Sequence, residues 1–154
     1  MCARADTAVD DVTGRIVGVR IAFGTDEVNE TTQHVVAWLR EQGHDVDVVA
    51  AGDPWTDVGH NVGEAVASGR AERGVVACWT GTGVSIAANK VPGVRAALCT
   101  DAATAAGARK WNDANVLAFG LRLTTPVVAD ELLDAFLCTD VVADEQDTIA
   151  RLER

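Results

Sequence analysis

Cations are scarce in this chain. Its 154 residues carry 13 Lys and Arg against 23 Asp and Glu, a formal net charge of −10. No basic stripe breaks that excess, which argues against a nucleic-acid partner. The same field disfavours a phosphorylated substrate unless a local basic pocket offsets it. Long apolar runs are missing as well: none would span a bilayer, so no membrane partner is expected. The first residues lack the charged-then-apolar layout of a secretion signal. Metal-type spacing is absent among Cys2, Cys78, Cys99 and Cys138 and among His34, His44 and His60, and neither a metal nor a cofactor is expected. The four cysteines are expected to be free thiols in a reducing cytoplasm. Internal repeats and low-complexity stretches are lacking too.

What is present is a regular alternation of short apolar runs and helix-spaced apolar residues. A chain of this length fits one domain, which buries roughly 68–70 % of its unfolded surface. Strands are predicted over 15–23, 44–50, 74–78, 94–99 and 114–119. Between them, apolar residues at Val35, Val36 and Leu39 mark a helix ended by Gly43, and further helices are predicted over 57–68, 84–90 and 101–110. Thr125-Pro126 opens a last helix reaching Leu137, with proline in its first turn. This pattern predicts an α/β fold, a three-layer doubly wound sheet of five parallel strands of Rossmann-like type. Residues 1–14 are polar and aperiodic and are expected to form a flexible tail. Residues 15–139 form the domain and 140–154 a charged C-terminal arm.

The chain is organised around its third strand. The apolar run 74–78 ends at Cys78 and passes through Trp79-Thr80-Gly81-Thr82-Gly83 into a helix. Glycines there allow backbone conformations that a Cβ forbids. The first N–H groups of the helix lack internal partners and point into the turn, a place suited to an oxyanion or a phosphate. In an open parallel sheet, ligands bind outside the carboxyl ends of the strands. One thiol and a set of N–H donors are therefore expected to share a cleft. The alternative for Cys78 is a small buried hydrophobe. Asp26, after the first strand, is either a functional carboxylate or a helix N-cap. Asn112 and Asn115 either face a ligand or cap local turns. Lys90 reads as a cation complementing a helix dipole.

The run from Cys78 through Thr80-Gly81-Thr82-Gly83-Val84-Ser85-Ile86-Ala87-Ala88-Asn89-Lys90, continued by Val91-Pro92-Gly93-Val94-Arg95-Ala96-Ala97, resembles the signature of the ribose-5-phosphate isomerase B / galactose-6-phosphate isomerase family. Gly24-Thr25-Asp26 and Asn112-Asp113-Ala114-Asn115-Val116-Leu117 are similar to two further motifs of that family. The resemblance spans about 15–139. It implies an aldose–ketose isomerase without a cofactor, acting on a carbohydrate-like substrate. It also implies a homodimer, or a dimer of dimers, whose clefts use loops from both subunits. Cys78 would be the base that moves a proton between C1 and C2 through an enediolate, held by the N–H groups of Thr80 to Gly83. Asp26 would contact substrate hydroxyls or assist ring opening, and Asn112 would contact substrate oxygens.

The sequence departs from the family at four places. Glu27 stands where a histidine is usual, and an ionised carboxylate donates no hydrogen bond. Trp111 replaces the histidine before Asn112; an indole donates a hydrogen bond but exchanges no proton near neutral pH. Trp79 sits where glycine is usual, and Trp79 and Trp111 are expected to bracket one cleft, stacking on a ligand face. The phosphate-holding arginines of the family's last arm give way to Asp144, Glu145 and Asp147, leaving Arg122, Arg151 and Arg154 as candidate cations. Three readings follow: an isomerase of ribose-5-phosphate isomerase B type, a diverged proton-transfer enzyme on an unphosphorylated substrate, and a non-catalytic binding protein.

Overall fold

The computed structural model describes residues 18–153; the expected 1–14 tail, the start of the first predicted strand and Arg154 lie outside them. Five strands alternate with helices: β1 (Arg20–Thr25), α1 (Glu30–Glu41), β2 (Asp45–Ala51), α2 (Trp55–Ala67), β3 (Arg73–Cys78), α3 (Thr82–Asn89), β4 (Ala96–Leu98), α4 (Ala102–Asn112), β5 (Val116–Gly120) and α5 (Pro126–Cys138). A short arm follows, with a one-turn helix at Gln146–Ile149 between two 3-10 turns. All strand pairs are parallel, in the order β2-β1-β3-β5-β4. The chain steps from β1 outward to β2, then returns to the other side of β1 for β3. That reversal opens a crevice beyond the carboxyl ends of β1 and β3, where an open α/β sheet binds its ligand.

Burial on both faces explains why the central strands read as unbroken apolar runs. Every residue of β3 from Gly74 to Cys78 is buried, as is all of β5. One core layer joins Phe23, Val75, Leu117 and Phe119 to Val35 and Leu39 of α1 and to Leu132, Leu133 and Phe136 of α5. The other joins Val76, Cys78 and Val116 to Val58 and Val62 of α2 and Val84 of α3. Alternate residues of one strand thus feed opposite layers.

Helix ends follow local chemistry. Asn29 caps α1, with Thr32 closing a reciprocal capping box; Asp101 caps α4 and Thr125 caps α5. Asp26 is therefore not a cap. Helix α4 runs two residues beyond its predicted end, which places Trp111 and Asn112 on its last turn. Asp113 then takes a left-handed conformation, φ 46°. It is held there by two guanidinium groups: Arg109 Nη1 donates to its Oδ1 at 2.7 Å and Arg95 Nη2 to its Oδ2 at 3.0 Å. Cys78 and Cys99 are free thiols, but Cys138 is disulfide-bonded. This corrects the expectation of four free thiols. Disulfide formation depends on separation in space, which cysteine spacing along the chain does not give. Among the described residues, no helix is long and apolar enough to cross a membrane, and no cluster of metal-ligating side chains occurs.

Candidate active site

Register builds the site. In the β1–β3 ladder Thr25 pairs with Ala77, and in the β3–β5 ladder Cys78 pairs with Gly120. The next residue of β1 is Asp26, whose N–H donates to the Ala77 carbonyl at 3.3 Å. Asp26, Cys78 and Gly120 thus end three adjacent strands side by side, at the crevice. Cys78 belongs to the layer under α2 and α3 and keeps 5 % of its surface exposed. Its carbonyl accepts from Leu121 N–H at 2.9 Å.

The turn after Cys78 is shaped by a left-handed residue and by close backbone approach. Gly81, φ 75°, is the N-cap of α3. A Cβ on it would lie 2.6 Å from the Phe119 carbonyl carbon and 2.5 Å from Leu98 Cδ1. No side chain caps α3, so the first-turn N–H groups remain available to a ligand. The Thr80 and Thr82 hydroxyls bond to each other at 2.7 Å on the exposed side of this turn. Trp79 is pinned at the backbone, where its carbonyl accepts from Arg122 N–H at 3.0 Å, while its indole stays 56 % exposed.

Asp26 and Glu27 are fixed by Thr25. The buried Thr25 hydroxyl donates to the Glu27 carbonyl at 2.8 Å and accepts from Glu27 N–H at 3.3 Å. Asp26 Oδ1 is buried without a hydrogen-bond partner among the described residues. Desolvation by burial holds its carboxyl above the usual carboxylate value, and the neighbouring Glu27 charge adds to that rise.

Trp55 escaped the sequence reading. It opens α2, and its ring lies flat against Gly83: a Cβ there would be 2.9 Å from Trp55 Cε3. The signal was available, because Pro54-Trp55 follows β2 and so belongs to the carboxyl edge of the sheet.

Trp111 and Asn112 lie elsewhere. Helix α4 carries the chain from the carboxyl end of β4 back to the amino end of β5, so its last turn sits at the opposite edge of the sheet from Cys78. The Trp111 ring lies over Gly107 of its own helix, with Lys110 Nζ 5.6 Å from the ring centre. Trp79 and Trp111 therefore do not bracket one cleft within a chain. Any residue just before a parallel strand falls at that far edge. The arm joins this group: Val142 N–H donates to the Lys110 carbonyl at 3.0 Å. A cavity of about 540 Å³ at the same edge is lined by Asn112, Arg95 and Leu152 among others. Asn115 is a brace, accepting from Arg95 N–H and donating to the Gly93 carbonyl. Asn89 likewise clamps α3 to β4 through Ala96. Arg122, by contrast, follows β5 at the Cys78 edge.

With the thiol, the carboxyl and the donor turn in place at the β1–β3 crevice, comparison with known proteins is decisive. Residues 21–153 match the family model described as Ribose/Galactose Isomerase. The chain belongs to this isomerase family. Ribose-5-phosphate isomerase B of Escherichia coli (strain K12) is 43 % identical over 126 residues, covering 77 % of this chain and 83 % of that protein. A D-erythrulose-4-phosphate isomerase of Pectobacterium atrosepticum is 35 % identical over 123 residues, covering 76 % and 81 %. Among solved structures, the type B ribose 5-phosphate isomerase of Leishmania infantum superposes with a TM-score of 0.83 at 30 % identity, covering 89 % of this chain and 95 % of that one. The family's doubly wound architecture is thus shared along nearly the whole described chain.

Proposed function

We propose that this protein is an aldose–ketose isomerase of ribose-5-phosphate isomerase B type, with Cys78 as the base. The observation that carries the reading is the register that ends β1 and β3 in Asp26 and Cys78 beside the uncapped start of α3. In the proposed reaction the Cys78 thiolate takes the proton from C2 of the open-chain aldose. The electron pair moves into the C1–C2 bond, and the C1 carbonyl oxygen becomes anionic. The N–H groups of the Thr80–Gly83 turn stabilise that oxygen, since donors aimed at developing charge act only where the charge forms. The O2 hydroxyl proton then passes to O1, the electron pair left on O2 forms the C2 carbonyl as the double bond takes up at C1 the proton held by Cys78, part of it exchanged with solvent, and the ketose results with no electrons leaving the substrate. Asp26 holds its proton more tightly than an ordinary carboxyl, which suits it to protonate the ring oxygen as the sugar opens. That role compensates for Glu27, which cannot act as an imidazole does.

The active unit in this proposal is a homodimer. Asn112 and Trp111 share the family's motif region but end α4 at the far sheet edge, so they reach a Cys78 cleft only from a second copy. A cytoplasmic setting is part of the proposal; free thiols at Cys78 and Cys99 favour it, and the disulfide at Cys138 counts against it.

The test is conversion of aldose to ketose in deuterated water, with deuterium uptake at C1 of the ketose followed by NMR. The wild type should incorporate label into a sugar substrate. The Cys78→Ser chain should lose about 10²- to 10⁴-fold in rate, the usual worth of a positioned base. Label uptake unaffected by that substitution would remove Cys78 from the chemistry.

A further inference from the structure

The isomerisation needs a second proton movement that Cys78 does not supply. Once the C2 proton has left, the proton on O2 must reach O1. The two oxygens sit on adjacent carbons of a planar enediolate, so a direct hop follows a sharply bent path, and hydrogen bonds weaken steeply below about 120°. A carrier that bonds both oxygens straightens that path. Trp111 exchanges no proton near neutral pH, and Asp26 is assigned to the ring oxygen.

The turn after Cys78 carries two hydroxyls with this capacity. Thr80 Oγ1 and Thr82 Oγ1 lie 2.7 Å apart, and either can be the donor. Both residues are exposed, and among the described residues neither hydroxyl makes a further hydrogen bond. A hydroxyl offers one O–H and two lone pairs, so the pair keeps an O–H and free lone pairs for a ligand. The backbone beneath them is fixed. Gly81, between them, is the left-handed N-cap of α3, and its carbonyl accepts from Ser85 N–H at 3.2 Å. The Thr80 carbonyl packs on the end of β5, where a Cβ on Gly120 would lie 2.7 Å from it. Thr82 is the first residue of α3. Branching at Cβ restricts χ1 of both side chains. The N–H groups proposed to hold O1 belong to the same Thr80–Gly83 backbone. A substrate oxygen on those donors stands against the residues that carry both hydroxyls.

We propose that Thr82 is a catalytic residue of this site, the second member of a two-hydroxyl relay with Thr80 that carries the O2 proton to O1. One hydroxyl takes the proton from O2 as it passes its own to the other, and the other gives its proton to the O1 anion. Three O–H bonds break and three form. Each hydroxyl ends with a proton, and O2 keeps the electron pair that becomes the C2 carbonyl. The donor sense of the Thr80–Thr82 bond is reversed, which the same 2.7 Å separation accommodates. The proposal rests on the isomerase reading and adds to it the route of the second proton.

The test follows the wild type, Thr82→Val and Thr82→Ser as full-length chains in deuterated water, with D-ribose 5-phosphate and D-erythrose 4-phosphate as aldoses. Early in the reaction, NMR reads the ketose formed and the deuterium at C2 of the recovered aldose. Valine keeps the shape of threonine and lacks the hydroxyl. Thr82→Val should lower kcat about 10²-fold, the lower end of what a positioned proton carrier contributes, with KM and Tm unchanged. The enediolate then stalls before the second transfer and returns to aldose, so C2 label per ketose formed should rise about tenfold. Thr82→Ser should restore both values. Three results overturn the relay: an unchanged kcat in Thr82→Val, a loss that Thr82→Ser does not repair, or C2 exchange and ketose formation falling together, which would assign Thr82 to the shape of the turn. In each of these, label in the wild-type ketose leaves the isomerase reading standing. No label from either aldose in the wild type removes that reading and the relay together.

Discussion

Single residues at the strand ends carry distinct proton chemistry. Cys99, one residue beyond β4, is 1 % exposed. Burial, with the Asp101 charge as a lesser cause, pushes its thiol up to about 11 from 9.0. The folded state therefore keeps this proton where an unfolded thiol loses it, so the stability tied to Cys99 is present below pH 9 and is lost as pH climbs toward 11. The two-unit difference corresponds to about 3 kcal/mol, of which about 2 kcal/mol is lost by pH 11. Urea denaturation of wild type and Cys99→Ala between pH 8 and 11 should show the wild type losing that much more than the variant. Asp26 is also raised, so its contribution likewise falls as pH rises through its folded value. Asp26→Asn should gain stability relative to wild type at pH 7, and the gain should vanish near pH 3.5. A wild-type advantage at pH 7 would mean that the carboxylate is better solvated than its orphan oxygen indicates.

Two elements fix the geometry around these residues. The turn into α3 depends on Gly81, whose positive φ and lack of a Cβ let it pass between Leu98 and the end of β5. Gly81→Ala should cost about 2–3 kcal/mol through strain and displaced backbone. Under the proposed mechanism it should also lower kcat, because the N–H groups proposed to hold the oxyanion move with the turn. At the other edge, the end of α4 depends on Asp113. Arg109, 3 % exposed, donates to Asp113 Oδ1, to the Ala114 carbonyl and to the Thr139 carbonyl. Removing the carboxylate leaves a buried cation unpaired, so Asp113→Ala should cost about 3–5 kcal/mol. Asp113→Asn keeps an acceptor and should cost less. Equal losses from the two substitutions, read by thermal unfolding, would shift the weight from the charge pair to the left-handed backbone at 113.

At the scale of the whole molecule, the arrangement of elements divides the family motifs between two edges of one sheet. Cys78, Asp26, Trp79 and Arg122 occupy the carboxyl edge; Trp111, Asn112 and the arm occupy the amino edge. A homodimer that joins the two makes a genetic prediction. Cys78→Ser and Asn112→Asp chains should each be nearly inactive alone. Mixed after co-refolding, half of the dimers would be hybrids, each with one intact site. About a quarter of wild-type activity should return. No recovery in a mixture shown by sedimentation to be dimeric would place each site within one chain.

The five strands and five main helices were legible because each signal is local. Apolar runs marked the buried strands, 3.6-residue spacing marked the helices, and glycine and proline marked their ends. The thiol, the carboxyl and the donor turn were legible for a related reason: all three follow strands directly, and the carboxyl edge of a parallel sheet is common ground. The end of α4 moved by two residues, because Asp113 is held there by the buried Arg109 of the same helix and by Arg95, which is remote in sequence. Trp55 on Gly83 and the separation of Trp79 from Trp111 required the tertiary structure. Each depends on the distance between segments far apart in the chain, and local patterning carries no information about that distance. The sequence by itself determined the alternation of elements and which side chains stand at the strand ends. Only the folded sheet decided which edge each motif occupies, because strand direction and crossover order are set by how the layers pack.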